Sequence, residues 1–209
     1  MALLVATFAG FMMLSASYQS ELARFQKAES ATTKMRQEAN RIIGEIQGAL
    51  SKNSSVASRV RPCGEDACID LDIHFAEGQD AIRSEQERAA LQEVCGIIKT
   101  AIDGLQGPDR KDIGLVIEGH TNRNQPTESL NPREKYLFNW NLSGRRAASV
   151  LYVFKECGFT TPQYSVEAIG YADSKQICVE PSKACDDQNR RTTLLLRVDT
   201  RRIQSRLGK

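Results

Sequence analysis

Histidine and tryptophan are almost missing from this chain, which has two histidines, His74 and His120, and one tryptophan. Its six cysteines never fall in a Cys-x-x-Cys spacing, so a zinc centre lacks well-placed ligands and no metal or cofactor is expected. A dominant charge is missing too. The 28 Lys and Arg residues nearly balance 26 Asp and Glu, and the net charge of +2 carries no electrostatic footprint of a nucleic-acid binder. Among 209 residues, 41% are apolar, enough for one sizeable domain with an appendage and too many for a disordered chain.

The start of the chain also lacks charge. "MALLVATFAGFMMLSA" has none, and the first charged residue is Glu21 in the polar segment that follows. At about 1.5 Å per residue this run covers about 25 Å of a roughly 30 Å hydrocarbon core, so residues 1–17 are expected to be a transmembrane anchor, shortened at its beginning. The rival, a cleaved signal peptide ending near "LSA", wants Lys or Arg ahead of the apolar run. A lipoprotein is disfavoured because Cys63, the first cysteine, lies far beyond any lipid-attachment position.

Residues 18–55 read as a helical linker. Ala28, Thr32, Met35, Ala39, Ile42, Ile46 and Ala49 step by four and three, with Tyr18, Leu22 and Phe25 ahead on a shifted phase. Such a thin seam suits a helix pairing with its own copy, which predicts a homodimer; the alternative is one amphipathic helix on a partner subunit or the membrane surface. "SKNSSVAS" ends the helix as a linker.

Residues 56–209 alternate between strand and helix patterns. "SRVRP" and "CIDLDIHF" form two strands, with Ile69, Leu71 and Ile73 on one face and Asp70 and Asp72 on the other. "SEQERAALQEVCGIIKTAI" opens with a Ser84 to Glu87 capping box and carries Leu91, Val94, Cys95, Ile98 and Ile102 in one stripe. "DIGLVIEGH" is a strand, and "LSGRRAASVLYVFKECG" is a helix that stops at Gly158. "YSVEAIGYA" and "RTTLLLRVD" complete a β-β-α-β-α-β-β order, which predicts an α/β (α+β) two-layer sandwich with both helices on one face.

Cys63 and Cys68 flank "GEDA", and Cys178 and Cys185 bracket "VEPSKA", so both pairs are candidate disulfides that staple loops in an oxidising compartment. Cys95 and Cys157 lie on the apolar faces of the two helices, either as a third pair or as small buried hydrophobes. His120 with Cys157 has no recognisably spaced acid to orient it, so catalysis is not expected.

"IHFAEGQDAI", "VIEGHTN", "FNWNLSGRRAASV", "AIGYAD" and "DDQNRRTTLLLRV" resemble, in order, the landmarks of the OmpA-like peptidoglycan-binding domain shared by OmpA, Pal and MotB. An anchor and a polar helix ahead of that domain resemble a MotB-type stator subunit, including the membrane subunit of Zorya anti-phage systems. The resemblance implies binding of a diaminopimelate-type stem peptide, a zwitterion that calls for a rigid cation on its carboxylate and an acid or carbonyl cluster on its ammonium. It places Arg146 on the carboxylate and Thr121, Asn122, Asn139, Leu142 and Arg190, beside Arg191, around the same pocket. One position departs from the pattern: where the family usually has Asp after "GHT", this chain has Asn122. Glu128, Asp173 or Asp187 are candidate substitutes, and the loop "RNQPTESLNPREK" is expected to cover or reshape the pocket.

The resemblance further implies a MotA-like membrane partner and a single-pass protein of the inner (cytoplasmic) membrane with its C-terminal domain in the periplasm. Stator subunits carry a membrane Asp just before the apolar run, yet no acid precedes Glu21. Either Met1 is a late start, or the chain is a passive envelope-integrity protein that tethers membrane to wall without conducting ions.

Overall fold

The computed structural model describes residues 2–53, 57–63, 66–71, 73, 75–76, 78–82, 84–104, 111, 113–123, 131–160, 162–199, 202 and 205. Within these, the side chains of 2–11, 35–36, 38–39, 42–43, 46–47, 49–53, 57–62, 66–67 and 198 are not described. The expected seam residues Met35, Ala39, Ile42, Ile46 and Ala49 therefore lie outside the described side chains, as do Asp72, His74 and Glu128.

Helix α1 (Ala2–Asn53) runs without a break through both the expected anchor and the expected linker. Among the described residues, no helix is long and apolar enough to cross a membrane. Its later part contacts α2 (Glu85–Asp103) and the sheet.

Among the described residues, five strands form one sheet: β1 (Ala57–Cys63), β2 (Asp66–Leu71), β3 (Ile113–Gly119), β4 (Ser165–Gly170) and β5 (Thr192–Val198), in the order β1-β2-β5-β3-β4. Among the described residues, only β3 and β4 pair in parallel; the other pairs are antiparallel. A parallel pair needs a crossover, and helix α3 (Pro132–Glu156) supplies it.

The period-two pattern decides which face each strand side chain meets. Ile69, Leu71, Ile113, Leu115, Ile117, Leu194 and Leu196 all enter the main core, with Leu91, Val94, Ile98 and Ile102 of α2 and Val150, Val153 and Phe154 of α3. Both helices thus lie on the same face. Phe154 is fully buried and meets Phe159, whose ring in turn meets Tyr164, at centroid distances of 5.6 and 4.8 Å. Each such ring contributes about 1.5–3 kcal/mol by leaving water. The opposite face holds a small second cluster, Cys68, Val116 and Leu195.

Two sequence expectations change, and one open alternative is decided. Helix α3 begins at Pro132 rather than Leu142, so the end of the supposed loop is helical; Asn131 accepts from the Glu134 N–H (2.9 Å) and Glu134 accepts from the Asn131 N–H (3.0 Å), a complete capping box with Pro in the first turn. An additional helix, α4 (Lys183–Asn189), separates β4 from β5. Cys95 and Cys157 are free, one thiol directed to the Phe154 carbonyl and the other to that of Gln92 at 3.8 and 3.9 Å, and burial pushes the Cys95 thiol up. The other four cysteines form Cys63–Cys68 and Cys178–Cys185 bonds.

Candidate functional site

Two glycines let the ends of β3 and β4 close onto α3. A Cβ on Gly119 would lie 2.0 Å from the Ser143 carbonyl oxygen, and one on Gly170 would lie 2.5 Å from the Gly144 nitrogen. Only a residue without a side chain permits that approach. Ser143, fully buried, completes the joint: its hydroxyl donates to the Trp140 carbonyl and accepts from the Ala172 N–H at 3.0 Å. Ala172 holds a left-handed φ of +47°, and its carbonyl accepts from the Thr121 N–H at 2.8 Å.

This joint sets the turn after β3 against the first half of α3. Asn122 is 6% exposed and its backbone carbonyl receives Asn139 Nδ2 at 3.5 Å, so residues separated by a long loop share one wall. The Asn122 Nδ2 and Thr121 Oγ1 atoms are buried without a hydrogen-bond partner among the described residues. Leu142 is buried, yet belongs to neither apolar cluster.

One helical turn beyond Leu142, Arg146 is 3% exposed. Its Nε–H donates to the Gln79 carbonyl at 3.0 Å, Nη2 donates to that of Ala76 at 3.3 Å, and the guanidinium lies 5.1 Å from the Phe75 ring centre. These contacts fix the plane of the fork; a guanidinium has five N–H donors, so others are left for an anion. Burial, with Arg190 and Arg145 adding to it and Asp80 opposing, lowers Arg146 to about 10, and it remains charged at neutral pH.

The neighbouring charges have their own partners. Arg145, the solvated neighbour, pairs with Asp80 at 2.8 Å, and Arg190, at the end of α4, pairs with Asp187. Asp187 is thereby occupied, and Asp173 is exposed. Arg191 Nη2 donates to the Lys175 carbonyl at 2.9 Å, and Arg123 Nε donates to Gln176 at 2.6 Å. The loop bearing Gln176 is tied by the Cys178–Cys185 bond and by Asn189, whose side chain accepts from the Ile177 and Cys178 N–H groups and donates to the Cys178 carbonyl.

His120 is 1% exposed and stacks on Tyr171 at 5.8 Å; burial, against the pull of Glu118 and with Arg191 adding to it, lowers its pKa, so the imidazole is neutral near pH 7. Its Nε2 approaches Glu118 only to 3.5 Å, too far for a well-formed hydrogen bond, whereas Lys175 Nζ meets Glu118 at 2.8 Å. Burial raises the Glu118 carboxyl, but His120 and Lys175 outweigh it and bring it to about 2. Cys157 belongs to the α2–α3 contact through Gln92, and it shares no contact with His120 among the described residues.

The structure thus joins Asn122 to Asn139, ties Thr121 to Ala172, and sets Arg190 within electrostatic reach of Arg146. The Ala76 and Gln79 carbonyls, Phe75, Asp80, Ser143 and Ala172 were not singled out from sequence. Their only signal was that "IHFAEGQDAI" and "AIGYAD" stand among the landmark blocks. A cavity of about 620 Å³ between α1 and α2, lined by Arg41, Glu45, Glu93, Gly96, Ile97, Thr100, Ala101 and Gly104, shares no residue with this cluster.

A family model described as "OmpA family" matches residues 74–190. No curated protein matches the chain. Among solved structures, a MotB-like protein from Desulfovibrio vulgaris is 17% identical over 80% of this chain and 96% of its own, with a TM-score of 0.60. The periplasmic domain of Helicobacter pylori MotB is 18% identical over 72% of this chain and 97% of its own, with a TM-score of 0.54. At those identities the likeness is one of fold.

Proposed function

Because this chain belongs to the OmpA family, we propose that it binds peptidoglycan non-covalently, as the wall-anchoring B subunit of a MotB-like, ion-driven complex of the flagellar type or of Zorya anti-phage defence. In this reading the apolar N-terminal run sits in the inner membrane beside a MotA-like partner. Helix α1 pairs with its copy, and residues 56–209 act in the periplasm. The role is binding rather than catalysis.

The observation that carries the reading is Arg146, buried but charged, held by two backbone carbonyls beside a turn whose Asn122 and Thr121 keep unpartnered polar atoms. A fixed guanidinium fork suits the carboxylate of a stem peptide, and its burial strengthens each bond it makes. Asn139 ties that turn to α3, the helix that also carries Arg146.

Sedimentation with purified diaminopimelate-type peptidoglycan tests it. The full chain is expected in the pellet, Arg146→Ala in the supernatant, and Arg88→Ala, which removes only a surface pair with Glu156, in the pellet. Equal pelleting of all three refutes the site.

A further inference from the structure

Two aromatic rings stand open near the start of the helix that carries Arg146. Tyr136 is 62% exposed, Trp140 is half-buried, and their ring centres lie 6.1 Å apart at an interplanar angle of 48°. Tyr136, Asn139, Ser143 and Arg146 follow one another on α3 by steps of three and four, so the rings continue the stripe that holds the arginine. The row beyond Trp140 is bare: Gly144 has no side chain, and a Cβ there would meet nothing within 4 Å. Aromatic surface left in water is unfavourable, so the pair calls for an occupant.

The surroundings decide which occupant. Exposed Arg133, Glu134 and Asn141 flank the rings, and Leu137, 41% exposed, is their apolar neighbour. A patch this narrow lacks the broad apolar core of a protein interface. It suits a pyranose ring, which presents polarised C–H groups to the negative face of an aromatic ring while its polar substituents point outward. The reach agrees. At 1.5 Å per residue, Trp140 and Tyr136 lie about 9 and 15 Å along the helix from Arg146. Three residues of a stem peptide span at most about 11 Å, and the diaminopimelate side chain extends that reach. A stem held by its carboxylate at Arg146 therefore brings the amino sugar from which it hangs to these rings.

We infer that Tyr136 and Trp140 form a subsite for the glycan strand, taking the N-acetylated amino sugar that bears the stem peptide. The inference rests on the wall-binding reading above. Arg146 recognises the stem and the rings recognise the sugar, so the chain grips the wall where stem and strand join. Asn139, between the two on the stripe, ties this part of α3 to the Asn122 carbonyl and keeps the rings in register with the pocket. A wall fragment without its sugar fills only part of the site.

The test uses the full chain and two probes, a diaminopimelate-containing tripeptide and the same tripeptide carried on its N-acetylglucosamine–N-acetylmuramic acid disaccharide. Binding is measured by calorimetry and by the emission of Trp140, the single tryptophan of the chain. The disaccharide probe is expected to bind roughly tenfold more tightly than the tripeptide, and it should shift the Trp140 emission. Tyr136→Ala should bring the two affinities within about twofold of each other, whereas Tyr136→Phe, which keeps the ring, should retain the preference. Thermal melts confirm that both variants are folded. Equal binding of the two probes to the unaltered chain, a preference undiminished by Tyr136→Ala, or a Trp140 emission unmoved by the disaccharide probe overturns the inference and leaves wall binding intact. Binding of neither probe overturns the inference too, and the wall-binding reading with it if Arg146→Ala pellets like the unaltered chain.

Discussion

Replacing Gly119 by Ala should damage binding by moving a helix rather than by touching the ligand. The added Cβ would stand 2.0 Å from the Ser143 carbonyl oxygen and 2.9 Å from its carbon, where ordinary van der Waals contact begins at 3.4 Å. The approach is roughly 1.4 Å too close, and both obstructing atoms are backbone, so no rotamer relieves it and α3 must retreat from β3. Overpacking of this kind costs about 1–3 kcal/mol, which for a chain of this size lowers the melting temperature by about 2–12 °C. The effect on the site is steeper. Asn139 reaches the Asn122 carbonyl at 3.5 Å, already the outer limit of a hydrogen bond, and a retreat of even half that overlap breaks it while carrying Arg146 away from the turn. Gly96→Ala is the control: nothing lies within 4 Å of its Cβ, and Ala is favoured in a helix by about 1 kcal/mol, so its melting temperature should rise. Thermal melts paired with wall sedimentation read both effects. Gly119→Ala that melts and pellets like the unaltered chain would refute the close-packed joint.

Two further outcomes follow from the charge and sulfur chemistry. Glu118 is held at about 2, below its ordinary value of 4.5, so its contribution to stability is complete above that value and is lost as pH falls toward 2. Unfolding free energies from urea titrations between pH 6 and 2 should fall by up to about 3 kcal/mol through this group, and Glu118→Gln should flatten that part of the profile; an unchanged profile would refute the assignment. Peptide mapping without reductant should find Cys63 joined to Cys68 and Cys178 to Cys185, with the half-buried Cys157 alkylated in the folded chain and the buried Cys95 alkylated only after unfolding. Reduction should cost about 2 kcal/mol per bond, because the closed loops are short, and a melt indifferent to reductant would contradict both bonds.

The parts of the molecule that could be read in advance are those where side chains repeat. Ile69, Leu71 and Ile73 alternate against Asp70, and Leu91, Val94, Cys95, Ile98 and Ile102 keep helical spacing, so strand and helix were plain and these residues are buried. "KACDDQN" has no apolar period to mark it, and α4 depends on the Ser182 cap and on Asn189, which the loop around Cys178 grips. The start of α3 was legible but misread: Asn131, Pro132 and Glu134 make a start signal, though Pro and Asn first suggest a turn. At the site, Arg146 and Asn139 stand out because their motif is made of side chains. What aims them is backbone, the Ala76 and Gln79 carbonyls and the left-handed Ala172, and backbone groups are common to every residue type.

The main-chain grip on Arg146 has an evolutionary consequence. Carbonyl oxygens persist through almost any substitution at Ala76 or Gln79, so the side chains of that segment are free to change without loosening the arginine they hold. Selection can therefore rework the rim of the site, residue by residue, to suit a different wall, while the cation at its centre keeps its aim.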